Sequence, residues 1–183
     1  ESMRLLSGRD FLLARSGDQD GHDISSTGRT VVDIECKRYD DATSLRENEL
    51  LGALVKSDQA PRPVDLWILA ATRGVSAQLF RRLTALAAKL DVGFIALHTG
   101  GGSPSRLAAL LAADAQGTIA FLRTHARALP NELKSLRVAA KLAAADAGYL
   151  RQIAALRNEL SEGLAGFSGW AAASRENCAR VLR

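Results

Sequence analysis

Cysteine and histidine are scarce in this chain, two and three among 183 residues, which is too few for a Cys/His zinc site. Aromatic residues make up only 5%, so a platform that stacks single-stranded bases is poorly supported. No apolar run approaches the length of a bilayer span. The first residues lack the charged-then-apolar pattern of a secretory signal, and Cys36 and Cys178 are therefore expected as reduced thiols in a cytoplasmic protein. No simple heptad and no repeat at a fixed period is present, which argues against a long coiled coil or a solenoid. Glu1 and Ser2 precede Met3, and the chain stops at Arg183 within a helical pattern. Both features suit a fragment of a longer protein.

Against those absences stands an ordinary soluble balance. Hydrophobic residues make up 47% of the chain and the mean hydropathy is -0.02, as in globular proteins. The length suffices for one domain with a real core and a small helical annex. Lysine and arginine number 24 against 20 acidic residues, a formal net charge of +4. That modest excess suits an anionic partner.

Residues 3–16 read as a short amphipathic helix through Leu5, Leu6, Phe11, Leu12 and Leu13, interrupted at Gly8. The stretch GDQDGHDISSTGRT is rich in Gly, Asp and Ser and reads as a hairpin around a short strand near Asp23 and Ile24. TVVDIECKRY then alternates strictly. Val32, Ile34 and Cys36 fall on one face of a strand, and Asp33, Glu35 and Lys37 on the other.

Helical spacing predicts a helix over 42–56, ended by DQAPRP. Two nearly continuous apolar runs, 64–72 and 92–98, read as strands covered on both faces. A helix over 75–90 lies between them. Strand, helix and strand in that order make a right-handed parallel crossover the default. After HTGGGSPS the chain turns Ala- and Leu-rich, with helices expected at 104–115, 118–129, 131–146 and 149–163 and a last stretch at 169–182. The expected class is α/β, a mixed sheet of a β-hairpin plus a parallel crossover, flanked by helices. The division is residues 1–117 as the α/β domain and 118–183 as a helical extension or a linker to a missing region.

The chemistry concentrates in the alternating strand. Glu35 and Lys37 are two apart and project from one face, about 7 Å apart along the strand. Asp23, on the preceding arm, would be brought beside Glu35 by antiparallel pairing. Magnesium takes oxygen ligands and keeps waters and substrate phosphate in its shell, so two protein carboxylates are enough for it. Such an ion neutralises a phosphodiester, orients a water and supports the leaving oxygen. An ammonium beside the carboxylates positions that water or steadies the pentavalent phosphate.

These residues match a family. GHDI, a spacer and then VVDIECKRYDD resembles the PD-(D/E)xK nuclease superfamily, and within it most looks like the Mrr-type restriction endonuclease branch. The strand and small-residue turn into a helix in LAATRGVSAQLFRRLTALA answer to another feature of that branch. The resemblance spans roughly residues 3–98. It implies a restriction-endonuclease-like fold, Asp23 and Glu35 as metal ligands, Lys37 as the catalytic lysine, Mg²⁺ as the cofactor with Mn²⁺ able to substitute, and DNA as the substrate. It also implies the effector end of a larger bacterial restriction or antiviral defence protein, working with further domains or as a homo-oligomer. Two positions depart from the pattern: His22 stands where the nominal proline would be, and Asp33 where the branch often has glutamine.

Other features have competing explanations. The same strand face could be a solvated edge with a modest surface ion pair. Asp18, Asp20 and Asp23 resemble a calcium loop, but the glycine is at Gly21 and no bidentate Glu follows where one is required. Gly100–Ser103 lies between a strand and a helix, where backbone amides can hold phosphate, and supports an alternative Rossmann-like nucleotide-binding module. It lacks a P-loop lysine. Arg73, after strand 64–72, is a possible phosphate contact. His98 reads as a polar tip at a strand end. Glu47 and Glu49 lie on the helix after the motif, where the resembled superfamily sometimes supplies an extra acidic residue, and read as a solvated helix face. A third alternative is an inactive nuclease fold kept as an oligomerisation scaffold.

Overall fold

The computed structural model describes residues 3–4, 8–13, 23–27, 30–39, 44–125 and 130–161. Asp18, Asp20, His22, Trp170, Cys178 and the stretch 169–182 lie outside the described residues. In chain order the elements are β1 (Phe11–Leu13), β2 (Ile24–Ser26), β3 (Val32–Lys37), α1 (Glu47–Gln59), β4 (Leu66–Ala71), α2 (Ala77–Leu90), β5 (Gly93–His98), α3 (Arg106–Ala113), α4 (Ala115–His125), α5 (Pro130–Ala145) and α6 (147–161). The five strands form one sheet in the order β1-β2-β3-β4-β5. β1–β2 and β2–β3 are antiparallel, while β3–β4 and β4–β5 are parallel. The hairpin and crossover expected from the sequence are both present in this mixed sheet.

The helix expected over 3–16 is not what forms at Phe11–Leu13. Gly8, at φ 68°, is in the left-handed region, and its N–H closes a turn onto the carbonyl of Arg4. Beyond it the chain is extended and its backbone pairs with β2, so the tertiary ladder overrides the local apolar spacing.

The period-2 alternation of β3 puts its apolar side chains on one side of the sheet. Val32 and Ile34 join Leu66, Ile68, Ile95 and Leu97 on one side of the sheet, beneath Ala109 and Leu110 of α3 and Leu156 and Leu160 of α6. The opposite side carries Trp67 and Leu69, covered by Leu50, Ala53 and Leu54 of α1 and Leu79, Leu83 and Ala87 of α2. Because β4 is sandwiched in this way, it reads as an unbroken apolar run; each such side chain contributes about 1.5–3 kcal/mol on burial.

Local devices set where the elements begin and end. Ser26 Oγ donates to the Thr30 carbonyl at 3.0 Å and accepts from the Val32 N–H at 2.9 Å, tying off the β2–β3 connection. Ser76 caps α2 by accepting from the Leu79 N–H at 3.2 Å. At the other end Asp91, with φ 59°, supplies the left-handed residue, and Val92 then enters the turn into β5. Ser105 caps α3 in the same manner.

Helices α4 and α5 flank a groove of about 800 Å³, with Ile119, Ala120 and Ala140 on its walls and Arg123, Arg137 and Lys141 at its margins. None of Asp23, Glu35 and Lys37 lines it. Through Leu156 and Leu160, α6 returns to the sheet. No helix of the described residues is long and apolar enough to cross a membrane.

Candidate active site

β3 is the third of five strands, so the face that carries Asp33, Glu35 and Lys37 is not a solvated edge. Glu35 is only 6% exposed and Asp33 1%. In register, Asp33, Glu35 and Lys37 lie beside Trp67, Leu69 and Ala71 of β4, and Lys37 reaches Glu49 of α1. A surface strand face would leave these charges in water; here their burial costs free energy unless each is compensated.

The hairpin delivers the second carboxylate. Ile24 pairs with Ile34 and Ser25 with Asp33, and Asp23, just before β2, lies near enough to Glu35 for its charge to act on that carboxyl. Two backbone contacts hold it there. Its N–H donates to the Ile34 carbonyl at 2.9 Å, and its Oδ2 accepts from the Cys36 N–H at 2.6 Å. Asp23 and Glu35 are thus brought near one another, with Asp23 bonded to the backbone at Ile34 and Cys36 rather than paired with Glu35 in the ladder.

Lys37 is held between two acids. Its Nζ lies 2.6 Å from Glu35 Oε1 and 2.6 Å from Glu49 Oε1. Burial raises the Glu35 carboxyl above its ordinary 4.5, opposed by the hydrogen bond and charge of Lys37 and reinforced by the negative charges of Asp23 and Glu49. Burial pulls the other way on the Lys37 ammonium, but its bonds to Glu35 and Glu49 prevail and its pKa is raised. The hydrogen bond from Lys37 holds the Glu49 carboxyl below its usual value. The cluster is thus net acidic, with one ammonium among three carboxylates.

Glu49 is the residue that pattern reasoning placed on a solvated helix face. It sits in the first turn of α1, where acidic residues also suit the helix dipole. Its neighbour Glu47 pairs with Arg82 of α2 instead. Tyr39 Oη lies 3.5 Å from Glu49 Oε2, and the Tyr39 backbone is fixed by Thr72, which accepts its N–H at 3.0 Å and donates to its carbonyl at 3.1 Å. No spacing in the sequence signals this meeting, because the connection from β3 to α1 sets it.

The fit of a divalent cation rests on the donor set. The Cys36 N–H engages Oδ2 of Asp23 and the Lys37 ammonium engages Oε1 of Glu35. Hard oxygen donors on adjacent strands, in a cluster with excess negative charge, suit Mg²⁺ or Mn²⁺. Among the described residues there is no group of three or more His, Cys, Asp or Glu side chains placed to hold a metal. Two carboxylates with waters meet the lesser demand of magnesium.

The remaining candidates fall around the same sheet end. Arg73 lies two residues beyond Ala71, the register partner of Lys37. His98 Nδ1 accepts from the Gly100 N–H at 3.1 Å, the role of a polar tip at a strand end. Gly100 packs tightly: a Cβ there would meet the Gly74 Cα at 3.0 Å and His98 Nδ1 at 3.3 Å. That close approach explains a glycine without invoking a phosphate. Thr99 Oγ1 donates to the Thr72 carbonyl at 3.0 Å, joining the ends of β4 and β5.

Fold and site together define an α/β domain with a five-stranded mixed sheet flanked by helices, carrying an acid–lysine cluster across β2, β3 and the start of α1. No family model, no curated protein and no solved structure matches the chain.

Proposed function

We propose that this chain is a metal-dependent endonuclease domain that hydrolyses DNA phosphodiester bonds, with a restriction-endonuclease-like arrangement of its sheet and helices. The observation that carries the reading is the acid–lysine cluster around the buried Glu35. Asp23 from the hairpin arm lies near enough to Glu35 of a central strand for its charge to act there, and Lys37 bonds to Glu35. A cluster of this kind costs stability through desolvation and mutual repulsion, and perturbed groups of that sort concentrate at functional sites.

Asp23 and Glu35 would hold Mg²⁺, or Mn²⁺ in its place. The ion, when bound, supplies Lewis-acid neutralisation of the phosphate and an activated water. The Cys36 N–H fixes the orientation of the Asp23 carboxylate. Lys37 offers an N–H donor and a positive charge to the attacking water or to the developing charge on phosphorus. Arg73, at the same end of the sheet, is the proposed phosphate contact. The basic excess of the chain favours the polyanion, and no helix-turn-helix or zinc finger is legible in the sequence, so DNA contact is largely electrostatic. The domain would act in the cytoplasm as the effector part of a larger restriction or antiviral defence protein, joined to further domains or to copies of itself.

Plasmid cleavage measured with Mg²⁺, with Mn²⁺ and with chelator tests the reading. Nicked and linear products that require the cation are expected. An intact plasmid under every cation condition would return the domain to a nucleotide-binding or scaffold role.

A further inference from the structure

We propose that Glu49 is a positioning residue that fixes the Lys37 ammonium in the site, and that Tyr39 and Thr72 set Glu49 for that task; this rests on the nuclease reading of Asp23, Glu35 and Lys37. The geometry is a two-point clamp, with Glu35 Oε1 and Glu49 Oε1 each 2.6 Å from Nζ. A lysine ammonium rides on a flexible four-carbon stem that carries about 2 kcal/mol of rotamer entropy. One carboxylate neighbour restrains its distance but not its direction. Two carboxylates from different elements restrain both.

The two anchors have different duties. Glu35 is asked to serve a cation as well as Lys37, whereas Glu49 turns its Oε1 to Lys37 and its Oε2 toward Tyr39. Tyr39 is locked in turn by paired backbone bonds with Thr72, whose N–H donates to the Lys37 carbonyl at 3.0 Å. The ring of contacts therefore begins and ends on Lys37, through its side chain on one side and its carbonyl on the other. A bland role is available to Glu49 as an acid in the first helical turn, worth about 0.3–1 kcal/mol. Glu47 already fills that role and pairs outward with Arg82. Glu49 is 42% exposed, and an ion pair that open contributes little to stability. Its direction toward a buried acid–lysine pair is what the stability argument leaves unexplained.

The test uses the full chain with Glu49→Gln, which keeps size and polarity, and Glu49→Ala. The first measurement needs neither metal nor DNA: the ¹H–¹⁵N signal of the Lys37 ammonium, assigned by its disappearance in Lys37→Arg. An ordered, slowly exchanging signal is expected in the native chain, weakened in Glu49→Gln and lost in Glu49→Ala. The second is plasmid cleavage, with kcat expected to fall about 10- to 100-fold while KM for DNA and calorimetric Mg²⁺ affinity stay within about twofold. Tyr39→Phe should show the same split to a lesser degree. An unaltered ammonium signal in Glu49→Ala overturns the proposal, as does a large loss of Mg²⁺ affinity in Glu49→Gln, which would make Glu49 a ligand. If the native chain does not cleave at all, the nuclease reading fails, and the ammonium signal still decides whether Glu49 holds Lys37.

Discussion

The Asp23 carboxylate accepts a 2.6 Å hydrogen bond from the backbone N–H of Cys36, the residue between Glu35 and Lys37. One acid is thereby pinned to the strand that carries Glu35 and Lys37. The bond gives one oxygen a structural role beside the proposed role of the carboxylate as a cation ligand. The two roles separate by mutation. Asp23→Asn keeps an acceptor for Cys36 and removes the charge, so its melting point should stay near that of the native chain while divalent-ion binding is lost. Asp23→Ala loses the bond as well and should cost about 1 kcal/mol. Thermal denaturation beside calorimetric Mn²⁺ titration checks both variants; equal stability of the two would show that the Cys36 bond holds nothing in place.

A pH dependence follows from His98. Burial, and then the positive charge of Arg106, lower its pKa from the ordinary 6.5, and its neutral Nδ1 accepts the Gly100 N–H. Since the folded chain binds this proton less well than the unfolded chain does, the contribution of His98 is full above pH 6.5 and is lost as pH falls through the window below it. The native chain should lose stability between pH 7 and pH 5, and His98→Asn, whose side-chain oxygen can still accept from Gly100, should lose less. Melting curves at half-unit pH intervals for the two proteins measure the difference. Parallel curves would remove His98 from the account.

The C-terminal helices are not all alike. Leu156 is 1% exposed and Leu160 3%, and both pack against the strands that carry Ile34 and Ile68. Leu156→Ala should cost about 2–5 kcal/mol, enough to consume a large part of the stability of a domain this size. Truncation after residue 146 strips that cover from the sheet and should leave an aggregating or unfolded chain. Urea denaturation of the substitution and circular dichroism of the truncated chain provide the check. A cooperative, native-like truncated domain would show that α3 alone can cover the face.

Much of this architecture is legible because burial leaves a period. The alternation in Val32–Lys37 and the unbroken apolar runs around Leu66–Ala71 and Gly93–His98 directly reflect a sheet covered on both sides. The proximity of Asp23 and Glu35 follows from the antiparallel hairpin and could also be anticipated. Phe11–Leu13 could not, because three residues carry too little pattern and pairing with β2 overrides their local spacing. Glu49 and Tyr39 were hidden for another reason. Their meeting with Lys37 depends on how the chain leaves β3 and enters α1, a tertiary property with no signature in residue spacing. The burial of Glu35 was equally invisible, since a strand of alternating charge reads the same on an edge as beneath a helix.

Within the cluster, carboxylates and lysine should fail differently. Glu35→Gln preserves size but removes one of two charges available to a cation, so divalent-ion binding and cleavage should be lost together. Asp23→Asn should behave alike. Lys37→Ala removes a positive neighbour from Glu35 Oε1 and leaves both carboxylates in place. Metal affinity should therefore be kept or rise, because an ammonium no longer competes for the acidic cluster, while turnover drops by about two orders of magnitude or more through loss of the donor and its charge. Calorimetric titration of Mg²⁺ or Mn²⁺ beside plasmid cleavage for the three variants separates the roles. Full cleavage by Lys37→Ala would sink the assigned role of the lysine, and undiminished cleavage by all three would mean that the buried cluster serves only the fold.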